Sequence, residues 1–298
     1  MKPRQLVPDH QIIVILDTSP VRELAFEAEK PSWVKTFSEM ACDGYSFSLA
    51  DSAAAELLNQ VRTGATAFAA HQRAIGWVST FLNPEVRVLP GNMDLDGMIG
   101  LDEDWNVCEA RYLAAIAWEM LLDPLKPDAE GRLPFDLLLE EERYEWKSFF
   151  ARLRHISMLS GLDVPKSDPA SVMAFLVDRV ATNLDKDTKV LPPLSIRRHL
   201  ELRYRIRQYI RTEQTKRPYN PAAKRNRNDG IDINLYYYLM LPAFVVARDG
   251  GFYGPLNDID SFQKTWFMPP ERLASEWLAG NRPRPAWPEL IVDEEDKD

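Results

Sequence analysis

Residues 11–19, QIIVILDTS, hold five consecutive β-branched or leucine side chains between Gln11 and Asp17. An apolar run of this length, bounded by polar residues, is the pattern of a strand buried on both faces, as strands of a parallel sheet are. Asp17 ends the run. In open α/β sheets, ligands sit beyond the carboxyl ends of the strands. A carboxylate at that place is therefore a candidate functional group.

Working outward, residues 32–42 read as a helix and YSFSLA, 45–50, as a second strand. Asp51 or Ser52 caps a helix over AAAELLNQV that carries Glu56. A helix over about 66–82 and a short strand in EVRVLP, 85–90, complete an alternation that implies an α/β fold with a parallel sheet. After Gly91 the pattern turns helical, over about 104–123, 134–161, 169–184 and 195–213. Alternation resumes with a helix from Asn228 to about Leu241, the strand AFVVAR, and Asp249. The expected organisation is a core in two halves, 1–91 and 228–268, interrupted by a mainly helical insertion, 92–227, whose C-terminal segment is basic. Residues 269–298 add a short helix, PPERLASEWLAG, and an acidic tail.

The chain has 298 residues, 45% of them apolar and 27% charged, which excludes global disorder. Cys42 and Cys108 form no CxxC, so neither a disulfide scaffold nor a thiolate zinc site is expected, and a reducing compartment is. The N-terminal apolar run is too short for a membrane span or a signal-peptide core, so a cytoplasmic protein is expected, with no membrane partner. The four histidines are scattered, and no GxxxxGK[ST] or GxGxxG occurs. Asp94, Asp96, Asp102, Glu103 and Asp104 depart from an EF-hand spacing and read as a solvated acidic loop and helix cap. Trp105, Trp118 and Trp146 read as core or interface.

Four carboxylates stand beside the elements that would bring them to one sheet edge: Asp17, Glu56, Asp232 and Asp249. Asp229 lies one turn before Asp232 and is an additional or alternative ligand. Each has an ordinary reading alone. Asp17 can cap a turn, and Glu56 can be an exposed helix residue. Asp229 and Asp232 can answer a helix macrodipole, and Asp249 can serve the turn before Gly250. Crowded together, unpaired carboxylates normally hold a hard cation such as Mg²⁺ or Mn²⁺.

In this order the residues resemble the PIN-like nuclease family. Asp17-Thr18-Ser19 is similar to the family's strand-ending Asp-Thr-Ser/Asn motif, and Glu56 to its helical Glu. Asp232 matches the Asp opening a later helix, and Asp249 the Asp ending a later strand, with Ala247-Arg248 where Thr-Arg is frequent. The resemblance covers about residues 10–90 and 228–253. It implies a PIN-like, Rossmann-like sheet and metal-dependent hydrolysis of phosphodiesters, usually of RNA, in a toxin or defence setting. Asp17, Glu56, Asp232 and Asp249 would be catalytic and, with Asp229, would hold Mg²⁺ or Mn²⁺. Thr18 and Ser19 would support them by hydrogen bonding. A DNA-directed nuclease and a non-catalytic module binding RNA or a protein are the alternatives; four uncompensated carboxylates favour an enzyme.

Residues 196–227 hold eleven Lys/Arg against Glu201 and Glu213, a net +9 in a chain of net −9. Arg203, Arg207 and Arg211 form an i, i+4 row, with Arg197, Arg198 and Arg205 adding to the field. Lys224, Arg225 and Arg227 lie in the Pro-broken loop leading to Asp229. These cations are expected to grip phosphates, and Tyr204, Tyr209 and Tyr219 to stack on unpaired bases. The plainer reading is a solvated helix whose charges are answered by acidic neighbours such as 139–143. RNA is thus the expected partner, alongside a protein that restrains or triggers the activity; oligomerisation is left open.

Overall fold

The structure, a computed structural model, describes residues 6–8, 10–98, 104–126, 135–181, 192–217, 233–248 and 262–285. At its centre is a five-stranded sheet, wholly parallel, in the order β3-β2-β1-β4-β5. The strands are β1 (Ile12–Leu16), β2 (Tyr45–Ala50), β3 (Val88–Leu89), β4 (Ala243–Val246) and β5 (Phe267–Met268). β1 is buried along almost its whole length, as its uninterrupted apolar run requires. β2 alternates aromatic or aliphatic residues with serines, yet all six positions are buried. The serines are satisfied: Ser48 Oγ donates to the Val86 carbonyl at 2.6 Å, and Ser46 Oγ accepts from Asn83 Nδ2 at 2.7 Å. Its other face carries Phe47 into an aromatic cluster with Phe37, Phe81 and Tyr45, ring centroids 4.6–6.5 Å apart.

Helices flank the sheet: α1 (Thr18–Leu24), α2 (Ser32–Cys42), α3 (Asp51–Arg62), α4 (Phe68–Val78), α5 (Asn92–Met98) and α6 (Val107–Leu122). Then come α7 (Phe135–Leu159), α8 (Pro169–Ala181), α9 (Pro192–Thr215) and α10 (Pro270–Leu278). α1, α3, α4 and α6 pack on one another, while α2 packs against β2 and α10. Between β3 and β4 the described residues contain helices and no strand. Within that stretch α6 packs on α3, α4 and β3, and α9 packs on a 3-10 turn, Leu235–Met240, immediately before β4. Tyr204 of α9 meets Tyr236 of that turn edge to face at 5.9 Å, and Tyr236 meets Phe267 of β5 at 5.7 Å, so one aromatic chain links the helices to the sheet.

Four elements differ from the sequence-based expectation. Residues 18–24 form a helix where a turn was expected, because Asp17 caps it at its first residue. Residues 92–98 form α5 where a solvated loop was expected; Asp94 is held there by Trp105, whose Nε1 donates to its carboxylate at 2.7 Å. Residues 235–240 are 3-10 rather than α-helical, and β5 adds an unexpected strand only two residues long. Among the described residues no helix is long and apolar enough to cross a membrane.

Candidate metal centre at the carboxyl edge of the sheet

The strand register fixes where the candidate residues lie. One row across the sheet runs Val88, Leu49, Leu16, Val246, Met268. The next row holds Leu89, Ala50 and Asp17, and Asp17 N–H still donates to the Val246 carbonyl at 3.0 Å. Asp17 thus stands at the carboxyl edge on the central strand. The chain steps outward from β1 through β2 to β3, then returns to the other side of β1 as β4. The β1–β4 boundary is therefore the topological switch point, where ligands bind in open parallel sheets.

Asp17 is 7% exposed. One carboxylate oxygen, Oδ2, accepts from Ser19 N at 3.1 Å and from Ser19 Oγ at 2.6 Å, capping α1. Burial pushes its carboxyl above the ordinary value, the Ser19 bonds oppose the shift, and the charge of Glu56 adds to it. Glu56, 8% exposed in the second turn of α3, accepts from Gln60 Nε2 at 3.1 Å. Two carboxylates from different elements are thus buried near enough to repel. Both are buried, so the plain reading of Glu56 as an exposed helix residue does not hold. Asp17 as a helix cap does hold, through Oδ2.

Thr18 and Ser19 are also buried. Thr18 Oγ1 has no hydrogen-bond partner. Ser19 Oγ accepts from Arg248 N at 2.9 Å, which joins the loop after β1 to the loop after β4 across the switch point. The Arg248 guanidinium pairs with Glu23 of α1 through Nε at 2.6 Å and with Glu271 of α10. Asp229, Asp232 and Asp249 lie outside the described residues, as do Lys224, Arg225, Arg227 and Tyr219.

A second acidic pair occupies the same edge. Asp51 directly follows β2, as Asp17 follows β1. Tyr238 Oη–H donates to Asp51 Oδ1 at 3.0 Å and lies 3.2 Å from the Leu89 carbonyl, while its oxygen accepts from Asp51 N at 3.1 Å. The protein massed around Asp51 raises its carboxyl, the Tyr238 and Ser52 bonds lower it, and Asp94 raises it further. Its side chain still reaches solvent, so water tempers that rise. Gly91 makes room for it: a Cβ there would lie 1.8 Å from Asp51 Oδ2. Sequence reasoning treated Asp51 as a cap, named Arg248 only as the residue before Asp249, and overlooked Tyr238. The signal for Asp51 was present, since LADSA repeats the strand-Asp-hydroxyl pattern of ILDTS; Tyr238 within YYYL carries no mark separating it from a core aromatic.

Among the described residues, no three His, Cys, Asp or Glu side chains converge as a complete metal site. The described donors are the Asp17–Glu56 pair with the unpartnered Thr18 hydroxyl beside it. A buried carboxylate pair with hydroxyl neighbours and no nitrogen or sulfur donor fits a hard, oxygen-seeking cation.

The basic helix sorts differently from its sequence pattern. Arg203, Arg207 and Arg211 line a groove between α8 and α9. Arg205 does not add to the free field: it is closed by Glu201 at 2.8 Å and Glu145 at 3.6 Å and lies over the rings of Trp146 and Phe149. Tyr204 and Tyr209 are buried, 5% and 1% exposed, and pack on Trp146, Phe150 and Tyr236. They are core aromatics and cannot stack on bases, because the apolar stripe of α9 turns them inward. Trp118 and Trp146 are buried as expected.

Comparison with family models, with curated proteins and with solved structures returns no match.

Proposed function

We propose that this chain is a PIN-like, divalent-metal-dependent endonuclease, acting on RNA in preference to DNA, with residues 92–227 forming a helical insertion in its core. The observation that carries the reading is the buried Asp17–Glu56 pair at the β1–β4 switch point, close enough for one charge to raise the other's pKa. The cap of α1, in which Asp17 Oδ2 accepts from Ser19 N and Oγ, does not require a second buried carboxylate beside it.

On this reading Asp17 and Glu56, with Asp232, Asp249 and Asp229, hold Mg²⁺ or Mn²⁺. An ion held by these residues would supply an activated water and charge neutralisation at the leaving oxygen. The chain's own residues set the geometry. Ser19 fixes Oδ2 of Asp17. Gln60 orients Glu56. Arg248 ties the end of β4 to α1 and α10 through Glu23 and Glu271. The Thr18 hydroxyl is free to bond a ligated carboxylate or a phosphate oxygen.

The test is cleavage of a labelled single-stranded RNA and of DNA of the same sequence, in Mn²⁺, Mg²⁺ and EDTA, by wild type and Asp17→Asn. Metal-dependent scission that Asp17→Asn abolishes supports the proposal, and the substrate ratio gives the sugar preference. Scission that persists in EDTA or in Asp17→Asn overturns it.

A further inference from the structure

The three arginines on α9 face a built concavity. The groove between α8 and α9 has a volume of about 700 Å³. One wall carries Arg203, Arg207 and Arg211; the facing wall is Pro169, Ala170, Met173 and Ala174 of α8. Successive i, i+4 positions rise about 6 Å along a helix, so the guanidinium groups can sit at intervals of that order. This is close to the repeat of successive phosphates along an unpaired strand. The contrast with Arg205 one face away is informative: that cation is consumed by Glu201 and Glu145. Among the described residues Arg207 and Arg211, both exposed, form no ion pair.

We infer that the α8–α9 groove holds a short stretch of single-stranded nucleic acid, its phosphates on the arginine row and its sugars or bases against the α8 wall. The inference rests on the nucleic-acid reading above and adds a substrate class to it. Charge selects a polyanion, and the spacing selects a phosphodiester repeat. The volume matches a site for one drug-sized ligand, which fits a short unpaired stretch and is far too narrow for a duplex. The apolar wall suits base and sugar faces, which an acidic peptide lacks. Site and groove are different surfaces: one is acidic and binds the scissile position, the other is cationic and holds the strand.

The experiment is fluorescence anisotropy of a short labelled oligouridylate in EDTA, using the full chain with Asp17→Asn as the parent so that nothing is cut. Two variants are compared with it: R203Q/R207Q/R211Q, and A170E/A174E, which sets carboxylates on the opposite wall and leaves every arginine in place. Both are expected to weaken binding roughly tenfold or more at low salt. Loss of three phosphate contacts is expected to flatten the log–log salt slope by about 2. An unlabelled duplex or a polyglutamate is expected to compete poorly. Should the arginine variant melt early, A170E/A174E decides. Parental affinity in A170E/A174E, or competition by duplex or polyglutamate equal to that of the single strand, overturns the inference. Failure is separable from failure of the metal-centre reading. If wild type cleaves, and the groove substitutions bind as the parent does and, placed in wild type with Mn²⁺, cleave as it does, the groove falls alone. If the groove variants lose binding but wild type never cleaves, the metal centre falls alone.

Discussion

Asp17→Asn and Asp17→Ala separate the two roles that Asp17 has in this fold. The aspartate caps α1 through one oxygen, which accepts from Ser19 N and Oγ, and it also carries a charge in a buried place beside Glu56. Asparagine keeps a capping oxygen and removes the charge; alanine removes both. Loss of an N-cap costs about 1 kcal/mol, so Asp17→Ala is expected to melt roughly 2–4 °C below Asp17→Asn. The charge gives the comparison with wild type its pH signature. The folded-state carboxyl titrates above its ordinary 3.8. Below that value Asp17 is protonated in both states, and its contribution is fully present. As pH rises through the raised folded value, the unfolded chain releases the proton more readily and the contribution is lost. In EDTA, Asp17→Asn is therefore expected to exceed wild type in melting temperature at neutral pH, and the gap is expected to close on acidification. Scanning calorimetry of the three proteins across pH reads it. An Asn variant that melts below wild type at neutral pH, or a gap that widens in acid, refutes the reasoning.

Tyr238→Phe deletes the hydroxyl shared by Asp51 N, Asp51 Oδ1 and the Leu89 carbonyl; leaving these groups without that partner is expected to destabilise by about 1–3 kcal/mol, measured by urea unfolding. Gly91→Ala drives a methyl into the Asp51 carboxylate, so the side chain must leave Tyr238; the melting loss is expected to vanish in the Tyr238→Phe background, because both changes break the same bond. Phe47→Ala opens the ring cluster of Phe37, Phe81 and Tyr45 and is expected to cost about 3–5 kcal/mol with no local rescue. Arg248→Gln removes the clamp between Glu23 and Glu271; because its backbone N–H to Ser19 survives, cleavage is expected to fall more than stability, read as activity against melting temperature.

The sheet was legible where its strands are long and apolar. QIIVILD and AFVV announce buried parallel strands by composition alone, and YSFSLA by aromatic alternation. β5 was not, since two residues, Phe267 and Met268, make no periodic signal; their place is set by pairing with Val245 and Val246. Helix α5 was hidden by its acidity: Asp94 reads as loop until Trp105 is known to reach back to it. The Asp17–Glu56 pair was legible because each residue has a fixed offset from a strand end. The fate of Tyr204 was not: it and Arg205 are adjacent in sequence, and the packing of α7 and the Leu235–Met240 turn decides that one is core and the other an ion-pair hub.

The most direct test of the central claim is calorimetric titration of Mn²⁺ into wild type, Asp17→Asn and Glu56→Gln. Saturable binding in wild type that each single substitution weakens at least roughly tenfold, about 1.4 kcal/mol, is the predicted result. Binding of equal strength in all three proteins, or none in wild type, would contradict a metal centre built on Asp17 and Glu56.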